Sequence, residues 1–312
     1  MTIRTFTSAM LLGAALVFGA VAAASPAVAA TAELETYLGA EPTLFDTPEA
    51  AVQAFKDTVA KGSIADMAKL LGLDPAKLEA AEGISAMMDE IKAATAESVV
   101  VESEDDVQIL DLGRQLWPFP FPVVKGEDGK WAFDTVAGLE EIVNRRIGEN
   151  ELTAIETMRL YVDAQNAYAA QDRDGDGVVE FAQKLLSSEG ATDGLYWPSE
   201  QGDGDSPAGP LDPDALEKAK SGDGYFGYKF RILNKQGANV AGGAYDYLIN
   251  GNMIGGFALI GWPAKYGETG ISTFVVNQAG VVYEKDFGVD TENIVAKIKT
   301  FNPDNNWDLV ED

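Results

Sequence analysis

The sequence predicts an α+β fold in which helices precede an antiparallel meander, and a long helix then precedes a second antiparallel sheet. Apolar residues recur at helical spacing over residues 47–96, alternate with polar residues over 99–134, and return to helical spacing from residue 137. The chain after its first 29 residues therefore divides into an N-terminal α+β region over 30–136 and a C-terminal region over 137–312. The C-terminal region combines the long helix, an acidic loop and the second sheet.

Residues 1–29 have the features of a secretory signal peptide. Arg4 provides the positive charge, an apolar segment runs from about Met10 to Ala24, and Ala-Val-Ala at 27–29 is a small-residue cleavage site. We expect a periplasmic or secreted protein that begins near Ala30, rather than one held by a transmembrane anchor, because the apolar segment is short. The remaining chain has no span-length apolar stretch and no cysteine for lipidation, so we expect no stable membrane insertion.

The charge and two absent residue types narrow the classes of function. The chain has 50 acidic and 23 basic residues, a net charge of -27, and lacks both Cys and His. Such an acidic protein lacks the basic surface that nucleic acids and anionic lipids require. Without thiols or imidazoles there is no Ser-His-Asp or Cys-His catalysis and no zinc-thiolate or iron-sulfur site. An enzyme with this composition would have to use carboxylates, Lys, Tyr, Ser or an oxygen-ligated cation.

Capping residues define the first helices. Thr47 can cap a helix that has Pro48 at its first position and Glu49 in its first turn, and Gly62 ends it. Further helices are predicted from Ser63 to Gly72, from Asp74-Pro75 onward, and from Ile84 to Ala96.

A change to period-two spacing predicts an antiparallel meander after these helices. Its segments are Val99–Val101, DVQILDL, FPVVK and KWAFD, and a turn at Asp128-Gly129 joins the last two. Between them, three prolines hold WPFPFP extended and remove backbone donors. We interpret this segment as a rigid edge connection that packs Trp117 and Phe119 into the core, in preference to a docking groove for aromatic groups. Helices followed by a meander ending in GEDGKWAFD resemble the cystatin-like or NTF2-like arrangement of small secreted domains.

Residues 137–171 predict a long helix with a break at Gly148. Arg145, Arg146 and Arg159 are the densest basic residues of the chain. We interpret them as partners of nearby acids on a solvated face rather than as a site for an anionic ligand. The helix delivers the chain into the acidic loop.

The acidic loop, DRDGDGVVEF over residues 172–181, is the most informative stretch of the sequence. Asp172, Asp174 and Asp176 lie two residues apart and Gly177 follows, as at positions 1, 3, 5 and 6 of an EF-hand calcium loop. Three alternating Asp that face inward would repel one another without a cation, so we favour a calcium site over a solvated acidic turn.

The rest of the loop departs from the complete EF-hand pattern. Position 7 is Val178, which offers a backbone carbonyl, and position 9 is Glu180, but position 12 is Gln183 where a bidentate Glu is expected. We therefore expect weak affinity unless a distant carboxylate completes the shell, and Asp193 is the first candidate. The predicted metal ligands are Asp172, Asp174, Asp176, Val178, Glu180 and Asp193.

A long connection and several strands complete the C-terminal region. Residues 193–224 are rich in Gly, Asp and Pro and predict an irregular connection, typical of a binding loop or a flap. Its Asp203, Asp205, Asp212 and Asp214 could form a second cation site, although their spacing matches no motif and solvation is favoured. The predicted strands are YKFRIL, YDYLIN with a turn at Asn250-Gly251, MIGGFALIGWPA, ISTFVVN and VVYEKD, and a last helix covers Thr291 to Lys299.

The chain resembles the bacterial exported proteins of domain-of-unknown-function family 2950. The resemblance rests on a combination of segments that covers most of residues 45–290: WPFPFPVV, GKWAFDT, EEIVNRRIGENELTAIE, YVDAQNAYAAQDRDGDGVVEFA, DGLYWP, GGAYDYLINGNMIGGFALIGWPAKYG and FVVNQAGVVYEKDFG. It implies an exported protein and carries no established activity.

The C-terminal region has a looser similarity to the globular domains of type IV pilin-like and pseudopilin proteins. The shared features are a helix containing YVDAQNAYAAQ, an acidic loop, an irregular segment and strands that end in FVVNQAGVVYEKD. Some of those proteins bind calcium. They begin, however, with a prepilin leader and an apolar assembly helix that this chain lacks, so the similarity concerns only the globular topology.

Our leading hypothesis is a non-enzymatic, calcium-stabilised envelope protein that acts as a binding or structural module. Calcium would fix the junction between the long helix and the second sheet, and the Trp-rich and Tyr-rich loops would bind an envelope protein or a glycan. A purely structural component would need no exposed binding groove. The alternative is a hydrolase of a glycan or phosphoester that uses a carboxylate pair or a calcium-assisted water, with Asp193, Asp246 and Tyr196 as its residues.

Overall fold

The computed structural model describes residues 36–173, 175–201 and 204–311, and it has an α+β architecture with antiparallel sheets, as the sequence predicts. The predicted signal peptide over 1–29 lies outside the described residues. Within the described ranges, none of the helices combines the length and the apolar composition that a membrane span requires.

The first two helices begin and end where the capping residues predict, and the next two begin where the sequence predicts. Helix α1 (Pro48–Lys61) begins after Thr47, whose hydroxyl accepts a hydrogen bond from the Ala50 N–H at 3.2 Å, and it ends at Gly62 with φ of 72°. The next three helices are α2 (Ile64–Leu71), capped by Ser63, α3 (Pro75–Ala80), capped by Asp74, and α4 (Ile84–Glu97). These helices cover the first sheet.

The first sheet is the predicted meander. Its strands are β1 (Val99–Glu104), β2 (Val107–Leu112), β3 (Trp117–Pro118), β4 (Val123–Lys125) and β5 (Trp131–Phe133), in the order β1-β2-β4-β5 with β3 also paired to β2. Phe119 and Phe121 of the proline-rich segment are buried and Trp117 is half-buried. The Phe119 ring lies 4.7 Å from that of Phe55 on α1. The segment therefore contributes to the core as predicted.

One helix of 34 residues, α5 (Thr135–Tyr168), runs continuously past Gly148, so the predicted break there is wrong. A helical glycine costs about 1 kcal/mol relative to alanine, and packing at both ends of α5 outweighs that cost. A Cβ on Gly138 would lie 2.0 Å from the Phe121 ring, so glycine allows close contact with the apolar core between the first helices and the first sheet, to which Phe121 belongs. Toward the other end, Met158 lies against Gly261 of the second sheet, where a Cβ would be 2.7 Å from the Met158 methyl.

The second sheet packs against the C-terminal half of α5. Its order is β14-β13-β12-β11-β6, all antiparallel, and its strands are β6 (Tyr228–Leu233), β11 (Ala258–Pro263), β12 (Ser272–Asn277), β13 (Tyr283–Asp286) and β14 (Asp308–Leu309). Between β6 and β11 the chain forms two short pairs, β7 (Lys235–Gln236) with β8 (Tyr245–Asp246), and β9 (Leu248–Ile249) with β10 (Asn252–Met253). Asn250 and Gly251 both have positive φ, of 55° and 97°, and make the predicted turn of the β9–β10 hairpin.

Two helix predictions in the C-terminal region are corrected. The 193–224 connection contains a helix, α6 (Pro213–Ser221), whose first turn is capped by Asp212 through the Ala215 N–H at 2.7 Å. The last helix, α7 (Thr291–Val295), is shorter than the predicted Thr291–Lys299 and follows a 3-10 turn. Its end is capped by Arg231 of β6, which donates from Nη2 to the carbonyl oxygens of Val295 (2.7 Å) and Ile298 (2.6 Å).

Candidate cation loop

The acidic loop is fastened at both of its ends to α5. Gln165, fully buried in the last turns of the helix, accepts a hydrogen bond from the Ala182 N–H (2.8 Å) and donates to the Ala182 carbonyl (2.9 Å). At the start of the loop, Arg173 donates from Nε to the Tyr168 carbonyl at 3.2 Å. Its guanidinium lies 4.9 Å from the centre of the Tyr168 ring and 5.3 Å from that of Trp197. The two ends of the loop are therefore held close to the C-terminus of α5.

Backbone N–H groups of the loop turn toward its carboxylates. Asp172 accepts from the Gly175 N–H through Oδ1 (2.8 Å) and from the Gly177 N–H through Oδ2 (2.9 Å). Both glycines have positive φ, of 77° and 86°, which L side chains rarely adopt. Asp176 Oδ1 accepts from the Val178 N–H at 2.7 Å. The chain therefore curls around Asp172. Asp174, the central acid of the predicted site, lies outside the described residues.

The β9–β10 hairpin forms the other wall of the loop. Glu180 Oε2 accepts from the Met253 N–H at 2.8 Å, and the Phe181 N–H donates to the Met253 carbonyl at 2.9 Å. Asn252 donates from Nδ2 to Asp176 Oδ2 at 2.8 Å. Gln183, where the EF-hand pattern expects a bidentate Glu, donates instead to the Gly251 carbonyl at 2.8 Å. The departure at position 12 therefore has a structural role, because the side chain there holds the hairpin.

Sequence reasoning missed this hairpin as part of the site. The Asn-Gly turn was visible in the sequence, but nothing in a linear pattern connects residues 250–253 with a loop about 70 positions earlier. Only the side-chain contacts of Asp176, Glu180 and Gln183 reveal the relationship.

Asp193, the candidate sixth ligand, is engaged by other groups. Its carboxylate forms an ion pair with Lys184 and accepts hydrogen bonds from the Ser188 N–H (2.7 Å) and hydroxyl (3.0 Å). The Lys184 ammonium, assisted by Ser188, lowers the pKa of Asp193 to about 2. To reach a cation, Asp193 would have to leave these partners.

The described part of the site contains Asp172, Asp176, Val178 and Glu180 on one loop. Asp172 and Asp176 are exposed, and Glu180 is half-buried. Glu180 binds the hairpin through Oε2, and Oε1 takes part in neither of its hydrogen bonds. Across the ranges that the structure describes, no group of three or more acidic side chains is arranged to hold a metal ion.

The residues of the alternative hydrolase lie in separate environments. Asp246 on β8 pairs with Lys235 at 3.3 Å, whereas Asp193 pairs with Lys184. Tyr196 bonds through its backbone to Leu185 and Ser187. Among described residues, no hydrogen bond or ion pair joins Asp193, Asp246 and Tyr196 to one another. Of the acids considered for a second cation site, Asp212 caps α6 and Asp203 lies outside the described residues.

Comparison with known proteins identifies a family and no closer relationship. A family model described as "Protein of unknown function (DUF2950)" matches residues 42–310. No curated protein and no solved structure matches the chain, so the cystatin-like, NTF2-like and pilin-like likenesses stay predictions. The match covers most of the chain and includes the helix, the acidic loop and the hairpin, and the chain therefore belongs to the DUF2950 family of proteins of unknown function.

Proposed function

We propose that this is an exported, non-enzymatic envelope protein in which calcium joins the acidic loop to the β9–β10 hairpin and so stabilises a binding or structural module. The observation that supports it is the loop's geometry. Asp172 and Asp176 lie on a backbone turned by two left-handed glycines, and Glu180 and Asp176 are both held by the hairpin. A cation bound there would strengthen the contact between α5, the loop and the second sheet.

The chemistry of the donors suits a hard cation. Carboxylates and backbone carbonyls are the oxygen ligands that calcium takes, and the acidic chain as a whole attracts cations. The expected ligands are Asp172, Asp174, Asp176, Glu180 and the Val178 carbonyl. Because Gln183 replaces the bidentate acid and Asp193 is paired with Lys184, we expect an affinity in the range of about 0.1 to 1 mM that extracellular modules show.

Export is the part of the proposal that rests on residues 1–29. A positively charged segment, an apolar segment and a small-residue cleavage site follow one another there, in the order that is typical of a secretory signal. Calcium-dependent stability would suit a protein that works outside the cytoplasm, and its partner would be an envelope protein or a glycan. The hydrolase alternative is less supported, because Asp193 and Asp246 each have a separate lysine partner.

Isothermal titration of calcium into the chain beginning at Ala30, with and without the substitution Asp176→Asn, tests the proposal. Asn keeps an oxygen that accepts from the Val178 N–H, and the side-chain amide of Asn252 can rotate so that its oxygen accepts from the new amide nitrogen. The substitution therefore mainly removes one negative charge. Asp128→Asn is the matched control, because Asp128 makes the same kind of turn through the Lys130 N–H at 2.9 Å. At a calcium concentration ten times Kd, binding should stabilise the native chain by about 1.4 kcal/mol.

We expect Asp176→Asn to weaken calcium binding and to abolish the rise in melting temperature, while Asp128→Asn changes neither. The absence of binding heat in the unsubstituted chain, together with a melting temperature that EGTA does not alter, would contradict the proposal. A metal-dependent hydrolysis of glycans or phosphoesters that Asp193→Asn abolishes would favour the alternative instead.

A further inference from the structure

A groove in the C-terminal part of the chain shares no residue with the acidic loop. It lies between β12, the segment around α7 and the chain near β14, and it has a volume of about 370 Å³. Its apolar lining consists mainly of Val275, Phe287, Ile294, Ile298 and Trp307. The rings of Phe287 and Trp307 meet edge to face, with centroids 5.6 Å apart. A volume of this size is at the lower end of the roughly 300–1,000 Å³ that small-molecule sites occupy.

Two lysines without carboxylate partners line the same groove. Lys297 and Lys299 are exposed, and no Asp or Glu among the described residues forms an ion pair with either one. The residues that line the groove include no carboxylate. A third lysine, Lys285, lies 5.5 Å from the centre of the Phe287 ring. The Asp304 carboxylate interacts electrostatically with Lys285, so in a chain with a net charge of -27 the positive charge beside this apolar surface is that of Lys297 and Lys299.

Hydrogen bonds hold the walls of the groove in place. Arg231 binds the Val295 and Ile298 carbonyls, which holds the end of α7 and the segment that follows it along the groove. Phe301, beyond that segment, is paired through its backbone with Lys235 and Gly237, at 2.9 Å in each case. The groove is thus formed by a backbone that is already fixed, so a ligand would not have to order it.

We propose that this groove binds a small organic anion with an apolar body, and that a medium-chain carboxylate is a ligand of this class. The alkyl chain would lie against Phe287, Ile298 and Trp307, and the carboxylate would face Lys297 and Lys299. An apolar pocket with a few polar groups at its edge is the usual form of a ligand site, with the polar groups determining orientation. An uncharged or cationic amphiphile of the same length would lack the contact with the lysines.

Titration with sodium decanoate below its critical micelle concentration tests the proposal. Binding is measured by calorimetry and by tryptophan fluorescence, and Trp307→Phe shows which part of the fluorescence change arises in the groove. We expect decanol to bind about tenfold more weakly than decanoate, and decylammonium to cause no fluorescence change that depends on Trp307. Octanoate should bind roughly fifteenfold more weakly, because each of the two methylenes that it lacks contributes about a fourfold factor.

The double variant Lys297→Glu/Lys299→Glu should lose at least tenfold in decanoate affinity. Lys218→Glu/Lys220→Glu is the control, since it reverses two charges at the same spacing near the end of α6, where Lys220 pairs with Glu217 at 2.9 Å, and it should leave the affinity unchanged. If the charge reversal destabilises the chain, Lys297→Gln/Lys299→Gln provides the same comparison with a smaller change.

Three results would overturn the proposal: no decanoate binding, equal affinities for decanoate and decanol, or equal losses in the groove and control variants. The titration is repeated in EGTA with the unsubstituted chain and with Asp176→Asn, because millimolar calcium would precipitate decanoate. Because the groove and the acidic loop share no residue, we expect the same decanoate affinity in both, so the failure of one proposal does not imply the failure of the other.

Discussion

Glu151, near the middle of α5, holds Ser272 at the start of β12: its Oε1 accepts a hydrogen bond from the Ser272 N–H at 2.9 Å. The same oxygen accepts from the Ile271 N–H at 2.8 Å and lies 3.4 Å from the Tyr228 hydroxyl. Tyr228 donates to the Ser272 carbonyl at 2.9 Å, and burial raises the pKa of its hydroxyl far above the usual value. One carboxylate thus joins the long helix to two strands of the second sheet.

Replacing Glu151 by Ala should therefore destabilise the chain by about 2–5 kcal/mol. The change leaves two backbone N–H groups without an acceptor, and each such group costs about 1–3 kcal/mol when it is shielded from water. Urea denaturation measures the free energy of unfolding. Glu156→Ala, at an exposed position of the same helix, is the control and should change it by less than about 0.5 kcal/mol. Equal effects at both positions would show that the Glu151 contacts do not stabilise the fold.

Gln165→Leu should release the end of the acidic loop. Leucine fills a similar volume, but it leaves the Ala182 N–H and carbonyl without the partners that Gln165 provides. We expect a loss of about 2–5 kcal/mol from these two buried groups and faster hydrogen exchange at Ala182. The exposed neighbour Asn166, changed to Leu, is the control. Unchanged exchange at Ala182 in the Gln165 variant would contradict this account of the loop.

The Lys184–Asp193 pair should make stability depend on acid pH. The pKa of Asp193 is about 2 in the folded chain, whereas an aspartate without such partners has a pKa of 3.8. A depressed folded pKa contributes stability above the unfolded value, and that contribution is lost as the pH falls from about 4 to about 2. The Asp193 side chain is 42% exposed, so solvent screening limits the effect to about 1 kcal/mol or less.

Thermal unfolding of wild type and Asp193→Asn as a function of pH measures this contribution. The difference in melting temperature should be present at pH 5 to 7 and should disappear toward pH 2. A constant difference at all pH values would mean that the ion pair is not its source. Because Asp193 stays ionised near neutral pH, it is also unsuited to act as a general acid.

Arg231→Met should unwind α7 and disturb the groove beside it. The guanidinium donates to two carbonyls and lies 5.4 Å from the centre of the Trp262 ring, and burial lowers its pKa. Methionine keeps much of the volume but supplies no donor, so we expect a loss of about 2–4 kcal/mol. Arg114→Met, which breaks an exposed pair with Glu97, is the control and should have a much smaller effect. Chemical denaturation measures both, and similar losses would refute the role given to Arg231.

Features that depend on neighbouring residues could be predicted from the sequence. The caps at Thr47 and Ser63 and the turn at Asn250-Gly251 each form through contacts within a few positions, so their residue types determine them. The α+β class follows from the periodicities. Helix α6 was missed although the sequence carries the same local signal, Asp212 followed by Pro213, because its surroundings are rich in glycine and aspartate.

Contacts between distant residues were decided only by the tertiary structure. Gly148 stays helical because Gly138 packs on the core of the first sheet and Met158 on the core of the second. This packing outweighs the low helix propensity of glycine. Gln183 departs from the calcium-loop pattern because it binds the Gly251 carbonyl, and Asp193 is held by Lys184. The sequence by itself determined the local helices, turns and the acidic character of the loop. Which groups meet that loop depended on packing across the fold, since such contacts join residues that no local pattern relates.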